Sequence, residues 1–210
     1  LPLFLLTGCS QYAKVQKSTN FDYMYELAKA YYMEGEYSQA SSLLESVLAF
    51  TKGTMFAEEA LHMLSMCYFQ MKDYVTASQY FTTYVNTYPR GIYAETARFL
   101  SARALFLDTP DPRLDQSSTI KAIGEIRVFT EYYPYSKYRD QANDMLYELH
   151  DRLVEKEYRS AKLYYDLGNY MGNNYRACII TAQNALNDYP YTKLREDLSF
   201  LVLRARYSMA

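Results

Sequence analysis

Apolar side chains recur at helical spacing along nearly the whole chain, and the pattern is clearest over residues 55–92. Two apolar faces with the i, i+3 or i+4, i+7 spacing of a helix occur there, the first formed by Leu61, Leu64 and Tyr68 and the second by Ala77, Phe81 and Tyr84. Pro89 ends the second helix because proline lacks an N–H and holds the preceding residue out of α geometry. The stretch therefore predicts two antiparallel helices that cross at the small Ala77.

This helix pair is repeated along the chain. A shift of 37 residues superimposes Tyr31, Tyr37 and Ala40 on Tyr68, Tyr74 and Ala77, while Lys52-Gly53-Thr54 replaces the closing proline. Three second helices show the same twelve-residue spacing from a small residue to a closing Tyr-Pro, namely Ala77 to Pro89, Ala122 to Pro134 and Cys178 to Pro190. The repeats predict an all-α fold, a tetratricopeptide-repeat α-solenoid of about five helix pairs.

The later pairs depart from the regular period. A loop over residues 108–118 precedes the second helix of the third pair, and Ser136 is predicted to cap the next helix. That helix continues without a breaker from Lys137 towards Tyr165, until Gly168 and Gly172 interrupt it. Residues 175–189 form the second helix of the fourth pair. Residues 192–210 start one more helix, either a capping helix or, as we favour, part of a fifth pair.

The chain opens with an apolar run that ends in Leu6, Thr7, Gly8 and Cys9. This run is typical of a bacterial lipoprotein signal, in which cleavage before the cysteine leaves its sulfur to carry diacylglycerol and the new amino end to carry a palmitate-type chain. A buried structural cysteine is the alternative. We expect residues 1–8 to be the end of the signal peptide and residues 9–20 to be a lipidated tether, and no later stretch is long and apolar enough to span a bilayer.

Composition narrows the class of function. Half of the 210 residues are hydrophobic, and the net charge of −2 includes no basic stripe that could neutralise phosphates, so we expect no nucleic-acid partner. His62 and His150 are far apart, and Cys67 and Cys178 look like small core residues. No phosphate loop, zinc spacing or nucleophile elbow occurs, and the Glu58-Glu59 pair is interpreted as a solvated surface. We predict a protein without catalytic residues, metal or cofactor.

The first helices of the repeats are predicted to line a concave groove. Three positions of each first helix are predicted to point inward: in the first pair, the residue after Tyr31 and those three and seven before it, and in the next two pairs the equivalents 37 and 74 residues later. These residues are Tyr25, Lys29, Tyr32, His62, Met66, Phe69, Phe99, Arg103 and Phe106. Tyr32, Phe69 and Phe106 recur every 37 residues as an aromatic ladder, which either packs between helices or binds an extended peptide with aromatic side chains. In the second case Lys29 and Arg103 would hold acidic groups or a terminal carboxylate.

These features together resemble the BamD family of outer-membrane lipoproteins, in forms similar to those of Bacteroidetes-type bacteria. The segments that carry the resemblance are Leu6-Thr-Gly-Cys9, Tyr84-Val-Asn-Thr-Tyr-Pro-Arg-Gly-Ile-Tyr93, Pro112-Arg-Leu-Asp-Gln116 and Asn187-Asp-Tyr-Pro-Tyr-Thr192. Two departures are the missing proline of the first pair and the inserted turn over residues 168–174. Because of these departures, no partner-contact residue is carried over from the family.

The resemblance implies a non-enzymatic subunit of the β-barrel assembly machinery. It implies that residues 21–134 receive unfolded outer-membrane proteins through their C-terminal segments, and that residues 135–210 dock a BamA-like barrel subunit. It also implies a lipid-anchored location at the outer membrane. Since no acidic run follows Cys9, we expect the periplasmic face of that membrane.

Two other classes of lipoprotein share parts of this pattern. One is a tetratricopeptide scaffold for cell-wall or pilus assembly. The other is a SusD-like glycan-binding lipoprotein, which combines a lipobox with such repeats and many aromatic residues. SusD-like chains carry large inserts between repeats and favour tryptophan in sugar platforms, whereas this chain has 25 Tyr and no Trp.

Overall fold

The computed structural model describes residues 20–50 and 55–210, and all regular structure within these residues is α-helical. This confirms the predicted fold class. The lipobox, most of the tether and Lys52-Gly53-Thr54 lie outside the described residues. The helices are α1 (Phe21–Met33), α2 (Tyr37–Phe50), α3 (Met55–Gln70), α4 (Tyr74–Thr87), α5 (Ala94–Leu107), α6 (Ser117–Tyr132), α7 (Arg139–Leu167), α8 (Asn174–Asp188) and α9 (Arg195–Met209).

Packing divides the helices into two compact units, with the division after Asp108. Unit 1 contains α1 to α5 and unit 2 contains α6 to α9. Within each unit every helix packs against the next one along the chain, and α1 also contacts α3 as α7 contacts α9. The first helices of successive pairs are therefore neighbours in both units. The predicted assignment of residues 21–134 and 135–210 to different partners concerns binding and stays a prediction.

Short polar side chains and Tyr-Pro pairs set the helix ends. Asn20, Asp73 and Asn173 cap α1, α4 and α8, each by accepting a hydrogen bond from the backbone N–H three residues later. Helices α4, α6 and α8 all end one residue before the tyrosine of a Tyr-Pro pair, as the repeats predict.

Helix α7 starts later than the sequence suggested. It begins at Arg139, and the Ser136 hydroxyl accepts a hydrogen bond from the Tyr138 N–H in the preceding turn, so the prediction of Ser136 as the helix cap is wrong. The C-terminal end of α7 agrees with the sequence, because Gly168 takes up a positive φ of 54° that few other residues adopt. The backbone N–H of Gly168 bonds to the carbonyl oxygens of Tyr164 and Tyr165.

Small residues lie in the core of the second helices. Ala40, Ala77, Ala122 and Cys178 are each fully buried, as predicted for the slot at which paired helices cross. Cys67 is also fully buried, which supports its interpretation as a small core residue.

Between neighbouring pairs of unit 1, Glu45 accepts hydrogen bonds from the hydroxyls of Tyr68 and Tyr80 at 2.6 and 3.2 Å. These bonds satisfy polar groups at the edge of an apolar stack.

A ring contact recurs where the first helix of a pair meets the start of the second. Tyr32 packs edge-on against Tyr37, Phe69 against Tyr74 and Tyr165 against Tyr175, in each case with ring centroids 5.6 Å apart. Four residues before the first ring of each contact lies a fully buried small residue, Ala28, Ser65 or Ala161. The same side-chain contact is therefore repeated in both units.

Among the described helices, none has the length and apolar content that crossing a bilayer requires.

Candidate functional site

A pocket of about 310 Å³ opens in unit 1 between α1, α3 and the start of α5. We call it the unit-1 pocket, and its lining residues are Lys29, Tyr32, Met33, Glu59, His62, Met63, Met66 and Tyr93. Four of the nine predicted groove residues line this pocket, namely Lys29, Tyr32, His62 and Met66. They come from the first helices of two successive pairs, which is where the sequence placed a binding surface.

The other five predicted groove residues lie elsewhere. Tyr25 and Phe99 are core residues with 2% of their surface exposed, so neither ring is available to a ligand. The Tyr25 ring is covered by Phe56, at 5.1 Å between centroids. Phe69 and Phe106 are half-buried, and Arg103 is exposed with its guanidinium 5.9 Å from the Phe69 ring. None of these five residues lines the unit-1 pocket. A role in peptide binding stays a prediction for the three that are not core residues, Phe69, Arg103 and Phe106.

His62 forms an aromatic wall of the unit-1 pocket. Its ring stacks on Tyr93 at 4.1 Å with an interplanar angle of 5°, and Tyr84 lies at 5.8 Å on another side. Its Nδ1 is buried and has no hydrogen-bond partner among the described residues. Burial lowers the pKa of His62 to about 4, so the ring is neutral at pH 7. Because the ring carries no charge, this wall of the pocket is apolar even though the residue that forms it is a histidine.

One cation and one carboxylate lie at the edge of this apolar pocket. The Lys29 ammonium is 5.3 Å from the centroid of the Tyr25 ring and 3.5 Å from the Glu26 carboxylate, and its side chain is 39% exposed. Glu59 is exposed on the facing helix α3. Burial and the Glu59 carboxylate raise the pKa of the Tyr25 hydroxyl behind the pocket. The arrangement can accept an apolar ring inside and a charged or polar group at the mouth.

A hydrogen-bonded cluster below the pocket fixes Tyr93. Glu58 Oε1 accepts hydrogen bonds from the Tyr84 hydroxyl at 2.5 Å and the Ile92 N–H at 3.0 Å. The Tyr84 hydroxyl in turn accepts from the Tyr93 N–H at 3.1 Å. Burial and Glu58 raise the pKa of Tyr84, which therefore stays protonated as a donor. The interpretation of Glu58 as a solvated surface residue is wrong, because its carboxylate binds a loop that folds back onto α3.

Gly91 marks this loop in the sequence. A Cβ at position 91 would lie 2.5 Å from the Tyr84 hydroxyl oxygen and would also collide with the Glu58 carboxylate. Only glycine leaves room for the loop to approach the cluster this closely. The Pro-Arg-Gly-Ile-Tyr segment over residues 89–93 was thus the available signal for a close backbone approach.

The buried histidine predicts a specific loss of stability in acid. The folded pKa of His62, about 4, lies below its ordinary value of 6.5, so the folded state binds the proton less readily than the unfolded state. Stability is therefore complete above pH 6.5 and falls as the pH drops towards 4. We expect the wild type to lose about 2–3 kcal/mol of unfolding free energy between pH 7.5 and 4.5, over and above the loss shown by His62→Phe.

The measurement is urea unfolding of both proteins at the two pH values. Phenylalanine is the matched substitution because Phe99 occupies the equivalent position 37 residues later. Parallel pH dependence in the two proteins would show that His62 is not the group responsible.

No group of three or more His, Cys, Asp or Glu side chains suited to a metal ion occurs among the described residues.

Comparison with known proteins gives a consistent family assignment. The profile of the outer membrane lipoprotein family YfiO matches residues 17–209. A protein of Aquifex aeolicus (strain VF5), described as a putative outer membrane protein assembly factor BamD, is 26% identical over 170 residues, which is 80% of this chain. The match spans 56% of that protein, so the chain corresponds to about half of its length.

Two solved structures are similar in fold at low sequence identity. Both are crystal structures of a Podosopora anserina putative kinesin light chain with nearly identical TPR-like repeats. Each is 14% identical and is matched over 90% of this chain, and over 95% and 94% of its own length. The TM-scores are 0.46 and 0.47.

Proposed function

The chain belongs to the YfiO family of outer membrane lipoproteins, and we propose that it receives unfolded outer-membrane proteins and passes them to a BamA-like barrel subunit. The likeness to a protein described as a BamD assembly factor supports a role in outer-membrane assembly. The proposed role is binding and transfer without catalysis. No described feature favours the glycan-binding or cell-wall scaffold alternative over this one.

The unit-1 pocket is the observation that carries the proposal. Its walls are the rings of Tyr32, His62 and Tyr93 and the flexible thioether of Met66, a combination suited to an aromatic side chain. Lys29 at the mouth supplies a positive charge for a chain-terminal carboxylate. A client segment that ends in an aromatic residue carries both groups, so the pocket fits the end of such a segment.

Location at the periplasmic face of the outer membrane completes the proposal. Membership of an outer membrane lipoprotein family supports the membrane, and the Leu6-Thr-Gly-Cys9 run supports a lipid on Cys9. Buried acyl chains contribute roughly 0.8 kcal/mol per methylene, so more than one chain makes a lasting anchor. We further propose that residues 135–210 dock the barrel subunit, which separates that contact from the pocket in unit 1.

Peptide titration tests the pocket. A fluorescein-labelled decapeptide ending in phenylalanine is titrated with the full chain. The double variant Tyr32→Ala/Met66→Ala is expected to bind roughly tenfold more weakly, because each lost ring or sulfur contact is worth about 0.5–1.5 kcal/mol. Tyr23→Ala is the matched control, since Tyr23 is on the same helix, 44% exposed and outside the pocket lining.

Binding to the barrel subunit is measured in parallel by pull-down. It should survive the double substitution, because the proposed docking region lies in residues 135–210. Equal peptide affinity of the double variant and the Tyr23→Ala control would remove the unit-1 pocket as the client site.

A further inference from the structure

Unit 2 contains a pocket of its own between the first helices α7 and α9. We call it the unit-2 pocket; it measures about 150 Å³ and is lined by Tyr158, Lys162, Tyr165, Asp166, Asp197, Phe200, Leu201 and Arg204. Neither the sequence pattern nor the family assignment pointed to this pocket. Its lining nevertheless repeats that of the unit-1 pocket position by position.

The correspondence appears when each helix is shifted onto its counterpart. A shift of 133 residues takes α1 to α7 and carries Lys29 to Lys162, Tyr32 to Tyr165 and Met33 to Asp166. A shift of 138 residues takes α3 to α9 and carries Glu59 to Asp197, His62 to Phe200, Met63 to Leu201 and Met66 to Arg204. Seven of the eight residues that line each pocket are therefore paired.

Independent contacts support both shifts. The first shift also superimposes the 5.6 Å edge-on contact of Tyr32 with its second helix on that of Tyr165. The second shift superimposes the buried face of α3, formed by Ala60, Met63 and Cys67, on the buried face of α9, formed by Leu198, Leu201 and Ala205. The two pockets therefore occupy equivalent positions on equivalent helices.

The two pockets differ in charge at two positions, where Asp166 replaces Met33 and Arg204 replaces Met66. Where the unit-1 pocket has the thioether of Met66, the unit-2 pocket has Arg204, whose guanidinium lies 4.6 Å from the Tyr165 ring centroid and 5.8 Å from that of Phe200. The other cation, Lys162, is already paired with Asp166 at 2.7 Å. Arg204 is exposed and forms no ion pair within 4.0 Å among the described residues. Two rings thus hold a guanidinium in place without neutralising its charge.

We propose that the unit-2 pocket is a second binding site for a peptide chain end, with the terminal carboxylate on Arg204 and the terminal aromatic side chain against Phe200 and Tyr165. Asp197, like Glu59 in unit 1, is placed at the same pocket to accept a hydrogen bond from a peptide N–H. A cation beside a carboxylate suits a chain end, which presents an anion and an N–H donor together. This inference rests on the proposed function and extends it from one site to two.

The test compares binding stoichiometry and the need for a free carboxylate. Calorimetric titration of the full chain with an unlabelled decapeptide ending in phenylalanine is expected to give two sites. Replacing the terminal carboxylate with an amide should weaken both sites, because each holds it with a cation, and should weaken the unit-2 site about tenfold. Arg204→Gln should abolish or weaken that site to the same degree and leave the other unchanged. Arg206→Gln is the control, because Arg206 is exposed on the same helix and does not line the pocket.

The variants separate this inference from the proposed function. One site in the wild type, removed by Tyr32→Ala/Met66→Ala and untouched by Arg204→Gln, overturns the unit-2 site and leaves the unit-1 site in place. A single site that responds only to Arg204→Gln supports the unit-2 site and removes the unit-1 pocket. Two sites that both ignore Arg204→Gln, or no binding by the wild type, overturn the inference.

Discussion

Replacing Cys9 with alanine, in a chain exported behind a cleavable leader without a lipobox, is expected to release the protein from the membrane fraction. The reason is that the proposed acyl chains on the Cys9 sulfur and amino end supply the membrane affinity, at roughly 0.8 kcal/mol for each buried methylene. The measurement is fractionation of the envelope, followed by immunodetection of the protein in the pelleted and soluble fractions. We expect the wild type to pellet and Cys9→Ala to remain in solution.

The two other cysteines provide the control. Cys67 and Cys178 are fully buried, so Cys67→Ala/Cys178→Ala keeps the core small and apolar and should still incorporate labelled palmitate and still pellet. Incorporation of label into Cys9→Ala, or its continued pelleting, would contradict the proposed anchor.

Replacing Glu58 with alanine is expected to lower the unfolding free energy of unit 1 by about 2–4 kcal/mol. The substitution removes the acceptor of two hydrogen bonds, leaving the Tyr84 hydroxyl without its partner at 2.5 Å and the Ile92 N–H without its partner at 3.0 Å. Tyr84 is fully buried, so its hydroxyl gains no direct contact with solvent in exchange. Urea unfolding followed by circular dichroism measures the change as a lower midpoint with an unchanged slope.

Glu131→Ala is a suitable control for this substitution. Glu131 is exposed near the end of α6 and is expected to change stability by less than about 0.5 kcal/mol. If Glu58→Ala and Glu131→Ala unfold at the same urea concentration, the Glu58 cluster does not hold the loop in place.

The sequence predicts the helices well because their signals are local. Tyr-Pro ends, capping side chains and the apolar period each act within one or two turns, and the structure confirms α4, α6 and α8 as helices closed by Tyr-Pro. Ser136 does not cap the helix because its hydroxyl stabilises the turn that directly precedes the first helical residue, Arg139. Local composition does not distinguish a capped helix from a capped turn.

The role of Glu58 could not be predicted in the same way. Its partners Tyr84 and Ile92 lie 26 and 34 residues away, so the contact exists only after two helices and a loop have folded back. The helical spacing of Glu58 and Glu59 is also that of an ordinary solvated surface. Gly91 was the one local sign, because it allows the close approach that a side chain would prevent.

The candidate site was predicted in part for a related reason. The 37-residue period places Lys29, Tyr32, His62 and Met66 on one predicted surface, and all four line the unit-1 pocket. The same period cannot say which rings remain accessible, since Phe69 packs against both Tyr74 and Phe81 from the second helix of its own pair. The accessibility of a ring depends on side-chain volume and on the position of the neighbouring helix, and the residue spacing predicts neither of them.

The equivalence of the two pockets has an evolutionary consequence. A duplicated set of two helix pairs inherits its pocket together with its core, since the lining positions and the buried positions lie on the same first helices. The exchange of Met66 for Arg204 falls at the edge of the core, where Met66 is half-buried and Arg204 is exposed, so one copy is able to change its ligand preference while the other keeps its own. Specificity in such an array evolves one helix pair at a time, without redesign of the fold.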